Sequence, residues 1–324
     1  MQFVVGYPRS GTTWIRAVIA AYALDDVAPE DFMTAYAENG PIAKHLWSDL
    51  DTHHYQSSTP FALKNLDFPS EARLRPAAMM LLNRDLSRAP GRDLALVHSH
   101  HAHCSVNGIH LWNGQWTDRV VNPIRDPRAI CCSLAAHLDV DYAEAAAFMA
   151  DPEAQFPPEE YFEEADANGA KDSADDATSG SAESAAHDDA EEDDEDESPE
   201  APLHHLLLSW SNHIRSWTQP DHIDVLSVRY EDLHEDPVEV FRGLLTFLDV
   251  EELDEDRLEA AVETVAFDRM QAAEEEHGFP GAPDDAAPFF RSGQAEGWKD
   301  ELPTDVARKI EDDHREMMDA LGYL

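Results

Sequence analysis

The sequence predicts an α/β fold: one domain over residues 1–324, with a parallel sheet covered by helices on both faces. Two observations carry this. Four short β-rich runs, 2–7, 94–99, 119–124 and 223–230, are nearly continuously apolar, as expected of strands buried on both sides rather than strands with one wet face. Each is followed by a stretch able to form a helix, the rhythm of repeated strand–helix units. A third feature sets ligand chemistry beside the first strand. "GYPRSGTT", Gly6 to Thr13, fits G-x-x-x-x-G-x-[ST], which makes the fold of the P-loop type. Thr12 stands where such a loop carries its lysine, and the nearest cation lies upstream at Arg9.

Taken in order, the first strand passes through this loop into a helix that starts at Thr12 and runs through "TWIRAVIAAYAL". There Ser10 to Thr13 offer backbone N–H groups and hydroxyls to an anion. The second strand runs into "HSHHAH", which holds His98, His100, His101 and His103. "HLWNGQW" (110–116) then sets Trp112 and Trp116 in a glycine-containing loop, able to stack on a sugar or to cap the core. The third strand leads to "RDPRAICCS" (125–133), with Arg125 at the carboxyl edge of the sheet and Ser133 about two turns into the next helix. "LHHLLLSWSNHIRSW" (203–217) reads as an amphipathic helix. After the fourth strand, Asp236, Pro237 and Glu239 supply N-cap, N1 and N3 of a helix in which Phe241, Leu244, Leu245 and Leu248 recur at helical spacing.

A formal net charge of −44, from 67 acidic against 23 basic residues, argues against nucleic acid or any other polyanion as a general partner. Residues 151–200 hold 21 Asp and Glu against Lys171 alone, with almost no large apolar side chain after Phe162. Such a stretch cannot bury enough surface to offset ordering, so 163–200 is expected to be a disordered acidic insertion. Its "EEDDEDE" run lacks the glycine turn and ligand spacing of a calcium loop. Outside this block the charge is still −24, and only five of the 23 basic residues are lysines. An acidic, lysine-poor surface stays hydrated in concentrated salt, where screening suppresses its self-repulsion, so a halophilic source is expected. Cys104, Cys131 and Cys132 form no C-x-x-C pair and no even framework, which implies reduced thiols and a cytoplasmic setting. No apolar run approaches the ~18 residues of a membrane span, and the first residues lack a charged region and a cleavage site.

"YPRSGTTW" (7–14) resembles the first motif of the sulfotransferases that use 3′-phosphoadenosine 5′-phosphosulfate (PAPS), Y-P-K-S-G-T-T-W, with Arg9 for the lysine. "RDPRAICCS" is similar to their second motif, in which an arginine and a serine eight residues later hold the 3′-phosphate. "FFRSGQAEGWK" (289–299) resembles their R-K-G-x-x-G-x-W-K segment: Arg291, Gly293, Trp298 and Lys299 match, Ser292 replaces a lysine, and the second glycine is displaced to Gly297. "RYEDL" (229–233) resembles the family's strand-end Tyr-Glu-Asp. The resemblance spans residues 3–299 apart from the acidic insertion. It implies that Arg9, Ser10, Gly11, Thr12 and Thr13 hold the 5′-phosphosulfate and that Trp14 and Tyr230 lie by the adenine. Arg125, Ser133 and the Arg291–Ser292–Gly293 segment would hold the 3′-phosphate.

Sulfuryl transfer resembles phosphoryl transfer in its loose, charge-spread transition state, and it needs a group to take one proton. The family's histidine follows a strand as V-K-T-H. Laid on "VHSH" (97–100), the pattern selects His100 as the base and sets His98 on the lysine position, so His100, Arg9 and His98 are the catalytic candidates. A zinc reading of the histidines lacks separated ligands, a cysteine pair and a nearby acidic ligand. No metal is expected, since cationic side chains take the place of a kinase's magnesium. The competing enzyme is a P-loop kinase, weakened by Thr12 and by the lack of an apolar strand ending in a metal-binding aspartate. A non-catalytic nucleotide sensor is the alternative from another class, kept open by His98 on the lysine position. The acceptor is expected to be a hydroxyl, on a glycan or a glycolipid.

Overall fold

The computed structural model describes all residues except 39–41, 43–45, 64–65, 89–93, 158–202, 219, 221, 280–286 and 292. The acidic insertion expected at 163–200, and Ser292, therefore lie outside the described residues. The chain runs through β1 (Gln2–Val5), α1 (Thr12–Ala23), α2 (Pro29–Glu38), α3 (Thr52–Gln56), α4 (Phe68–Leu86) and β2 (Leu96–Ser99). A two-strand ribbon, β3 (Ser105–Val106) and β4 (Ile109–His110), precedes β5 (Arg119–Ile124), α5 (Pro127–Leu138) and α6 (Tyr142–Ala150). A second ribbon pairs β6 (Gln155–Phe156) with β7 (His205–Leu206) and leads to α7 (Trp210–Trp217) and β8 (Asp224–Arg229). Five helices follow: α8 (Tyr230–Glu235), α9 (Pro237–Phe247), α10 (Glu255–Thr264), α11 (Phe267–His277) and α12 (Trp298–Glu301), and the chain ends on α13 (Thr304–Ala320).

The four expected strands are present and form one parallel sheet in the order β2-β1-β5-β8. Successive side chains leave opposite faces of a strand. Phe3, Val5, Val97 and Val120 turn one way, against Met79, Leu82, Trp112 and Trp217. Val4, Leu96 and Val121 turn the other way, against Ile15, Val18, Phe241 and Leu244. Both faces are dry, which is why the runs read as continuously apolar. Burying each side chain of this size contributes about 1.5–3 kcal/mol. The helix signed at 236–239 forms as its spacing predicts: the Asp236 side chain accepts from the Glu239 amide, and Phe241, Leu244 and Leu245 are fully buried.

Two expectations fail. No helix follows β2. Asn107 and Gly108 both take positive φ, at 50° and 80°, the geometry of a tight hairpin turn, and the β3–β4 ribbon forms instead. Trp112 and Trp116 then bury themselves in the core, so "HLWNGQW" is a core cap and not a sugar platform. The 203–217 helix also shrinks to Trp210–Trp217. Leu208 has φ of +61°, the Ser209 side chain caps the helix at the Asn212 amide, and the residues before them pair with β6.

The chain passes from β1 to β2 on one side of the sheet and reaches β5 on the other. The loops after β1 and β5 therefore lie side by side at the carboxyl edge, the position of ligand crevices in open α/β sheets. Pro123 helps to open this one, since it has no N–H to donate. The β1–β5 ladder stops at Val4–Val121, whereas β5–β8 continues to Ile124–Arg229. Gly6 rests against Pro123, where a Cβ would come within 2.9 Å of its ring. Among the described residues, no helix is long and apolar enough to cross a membrane.

Candidate active site

The loop from β1 to α1 presents backbone to the crevice. Gly11 has φ of +103°, and a Cβ there would sit 2.8 Å from the Tyr230 ring, so both the turn and the contact require glycine. No side chain caps α1, which leaves its first amides for an anion. Ser10 Oγ is buried without a hydrogen-bond partner among the described residues. Above the loop opens a cavity of about 340 Å³, within the roughly 300–1,000 Å³ of small-molecule sites. It is lined by Arg9, Gly11, Thr12, Thr13 and Trp14 of the loop and α1, and by His98 and His100 after β2. Arg125 and Ser133 face it from the β5 side, Tyr230 from α8, and Arg291 and Gly293 from the C-terminal segment. Of the expected site residues that are described, only Ser10 lies outside the lining.

Three arginines converge here. Arg9 donates through Nε to Ser133 Oγ at 2.8 Å and through Nη2 to the Phe289 carbonyl at 2.9 Å, with its guanidinium 3.9 Å from the Phe289 ring centre. Arg125 donates to the Arg9 carbonyl at 3.0 Å and lies 4.1 Å over the Tyr230 ring. Burial, with Arg125 and Arg291 nearby, pushes the Arg9 pKa down to about 10. Arg9 Nη1, Arg125 Nε and Trp14 Nε1 are buried without hydrogen-bond partners among the described residues. Buried polar atoms of this kind call for a ligand, and like charges brought together call for an anion. Among the described residues, Arg291 alone of the three is matched by a carboxylate, donating to both oxygens of Glu301 at 2.7 and 2.8 Å. Its segment is held to α11, where Glu274 accepts from the Phe289 and Phe290 amides and Gln271 donates to the Phe290 carbonyl. Arg9 thus reaches toward Ser133 and Arg125, the residues expected on the 3′-phosphate, rather than toward His100.

His98 and His100, two residues apart, bring their rings to 4.4 Å at 86°. Nδ1 of His100 lies 2.6 Å from the Gly6 carbonyl. A carbonyl only accepts, so Nδ1 carries the proton and Nε2 keeps the lone pair that a general base needs. Burial above all holds both histidines well below the ordinary value, reinforced by His205 for His100 and by His100 and Arg16 for His98. His98 is therefore neutral near pH 7 and does not replace the charge of the family's lysine.

His101 and His103 point elsewhere: His101 Nδ1 accepts from the Leu206 amide at 3.0 Å, and His103 packs 5.2 Å from Trp217. The four histidines of the zinc reading do not assemble. A different set does, since Asp49, His101 and His205 hold possible ligand atoms within 4.8 Å of one another. Its chemistry opposes a metal. Because His101 Nδ1 accepts, its Nε2 bears the proton, and Asp49 already pairs with Arg75 at 2.7 Å and His205 at 2.9 Å.

Several residues at and behind the site carried no motif. His137 and Arg16 line the cavity four residues beyond Ser133 and Thr12, so i,i+4 spacing on the two helices was a usable signal. Asp49 and His205 had none, because they meet only through tertiary contacts.

The buried histidines predict an acid-sensitive fold. His98, His100, His101, His137, His213, His234 and His314 are all lowered, burial being the main cause in each. Below the ordinary value of 6.5 the unfolded chain takes up protons that the folded protein refuses, so stability falls as pH drops from there. His54 works the other way, since against the effect of burial Asp51 and Asp85 raise its pKa. Denaturant melts between pH 7.5 and 5 should show a falling midpoint, and a flat profile would contradict neutral, buried imidazoles.

A comparison with curated protein sequences finds no match. Among solved structures, retinol dehydratase in complex with androsterone and inactive cofactor PAP aligns with a TM-score of 0.51 and 17% identity, over 98% of this chain and 80% of that one. Mouse sulfotransferase SULT7A1 complexed with PAP aligns with a TM-score of 0.50 and 14% identity, over 98% and 82%. At these identities the likeness is one of fold. The family model for the sulfotransferase domain matches residues 2–322, and the chain belongs to that family.

Proposed function

We propose that the protein transfers a sulfuryl group from PAPS to a hydroxyl acceptor. The observation that carries this reading is the convergence of Arg9, Arg125 and Arg291 on one cavity with a histidine, His100, whose Nε2 keeps its lone pair. Arg125, Ser133 and the segment Arg291–Gly293 hold the 3′-phosphate. The loop Ser10–Thr13 acts as the phosphate loop for the 5′ group. Arg9, bonded to Ser133 in this structure, bridges the two and has to release Ser133 to touch the sulfuryl group as a catalytic cation. Trp14 and Tyr230 flank the adenine, and no step calls for a metal.

The ring of Phe156 stands 5.6 Å from that of His100 and lines the same cavity. An apolar wall beside the base gives the carbon face of a sugar ring a surface to pack on, which suits a hydroxyl of a glycan or a glycolipid. The acidic, lysine-poor composition supports action in a salt-rich cytoplasm.

Calorimetry in high salt with adenosine 3′,5′-bisphosphate and adenosine 5′-monophosphate tests the donor site. The bisphosphate is expected to bind at least about tenfold tighter, which corresponds to roughly 1.4 kcal/mol. Equal affinities would remove the assignment of Arg125 and Ser133, and magnesium-dependent phosphate transfer from adenosine triphosphate would replace this reading with a kinase.

A further inference from the structure

A buried ionisable chain lies behind the candidate base. Arg75 of α4, 1% exposed, sits 2.7 Å from Asp49 Oδ2, and Asp49, fully buried, accepts on Oδ1 from His205 Nε2 at 2.9 Å. The His205 ring lies 5.3 Å from that of His100 and 6.2 Å from that of His98. Backbone bonds fasten both partners to the residues around the base. The Asp49 amide donates to the His98 carbonyl at 3.0 Å, and the Ala102 amide donates to the Leu206 carbonyl at 2.8 Å.

We propose that Asp49 and His205 are positioning residues for His100: His205, held by its bond to Asp49, fixes the wall against which the His100 ring packs, and Asp49 supplies the charge that stabilises the imidazolium formed when Nε2 takes the acceptor's proton. The inference rests on the reading of His100 as the base. In that step the acceptor's O–H bond breaks and its proton forms an N–H bond on Nε2. The acceptor oxygen bonds to sulfur as the bond from sulfur to the donor's phosphate oxygen breaks, leaving that electron pair on the bisphosphate product.

A positive ring thereby arises among groups that do not welcome it. His98 faces His100 from its own stretch of chain, His205 from β7 and His213 from α7, while Arg16 of α1 acts on His98. A new charge in such a place is costly without a counter-charge. Asp49 supplies one: burial alone would raise its pKa, but Arg75 and then His205 hold it well below the carboxylate range, so it stays ionised. A buried ion pair adds little to stability over an apolar filling. Set against a general base, it has a use in the reaction.

The test measures kcat against pH, bisphosphate Kd and unfolding midpoint for four variants beside the unmodified protein. His205→Phe keeps the ring volume and loses the bond to Asp49. It is expected to lower kcat roughly 10- to 100-fold, the scale for losing a group that orients an acting histidine, with Kd little changed. His205→Gln, which can still donate to Asp49, should recover part of the loss. In Asp49→Asn the acid limb of the kcat profile should move to lower pH, because the charge favouring protonated His100 is gone. Asp49→Asn with Arg75→Met avoids an unpaired buried guanidinium and serves if the single variant does not fold. Unchanged kcat in folded His205→Phe overturns the inference. So does a loss of kcat that tracks a loss of stability while the acid limb stays in place, which is the mark of packing alone. His100→Ala, measured alongside, separates the two claims: full activity there overturns the base and this inference together, whereas an inactive His100→Ala with unaffected His205→Phe leaves the base standing.

Discussion

His100→Ala is expected to lower kcat by roughly a hundredfold to ten-thousandfold, the contribution of a well-placed general base, with donor affinity little changed. The geometry behind this is specific. The Gly6 carbonyl fixes the tautomer, the lone pair is on Nε2, and the residue lines the cavity shared with the arginines. Removing the imidazole leaves the three arginines in place and takes away only the proposed proton acceptor. His98, whose ring is 4.4 Å away, is neutral and limits the loss if it can reach the same hydroxyl. His98→Ala should therefore cost less on its own, and the double variant more than either. Because burial lowers the His100 pKa, the base is already free at neutral pH, and the acid limb of kcat should fall below pH 6.5. The assay follows labelled sulfate from PAPS to a panel of glycolipid and glycan acceptors. Full turnover in His100→Ala would reject it as the base.

The parts of this site that were legible in the sequence are the contiguous ones. A glycine loop between a strand and a helix is dictated by neighbours in the chain, and so is an arginine at a strand end followed by a serine on the next helix. The strands were legible for the same kind of reason, since residues alternating between two dry faces leave a continuous apolar run. The failures are also physical. From Leu203 to Trp217 the apolar spacing suits a helix, but periodicity does not show that Leu208 takes a positive φ and Ser209 offers a cap, which together end one structure and start another. Trp112 and Trp116 were ambiguous because the sheet face they cover is assembled from residues far away in the chain. Asp49 and His205 are the extreme case. They are 156 residues apart, and neither signals the other until β7 is tied to the end of β2.

Arg9→Asn should trade donor affinity for stability. Arg9 holds φ of +68°, a conformation that costs on the order of 1–3 kcal/mol for a residue with a Cβ and that asparagine adopts more readily. Its guanidinium is also pressed among like charges, with burial first and Arg125 next in lowering its pKa. Both costs are borne without donor and are offset when an anion arrives between the arginines. Removing the cation should weaken bisphosphate binding by roughly 2–5 kcal/mol, the range for breaking a buried, hydrogen-bonded charge contact. The loss of the bonds to Ser133 and the Phe289 carbonyl works against any gain in stability, so the unfolding midpoint of the donor-free variant should stay level or rise, not fall. Calorimetry and thermal melts in the same high-salt buffer read the two sides of the exchange. A variant that binds as well as the parent would show that Arg9 is a structural clasp on the C-terminal segment. A variant that loses stability and affinity in step would lead to the same conclusion, because a strained residue held in place for its ligand is the one whose removal separates the two.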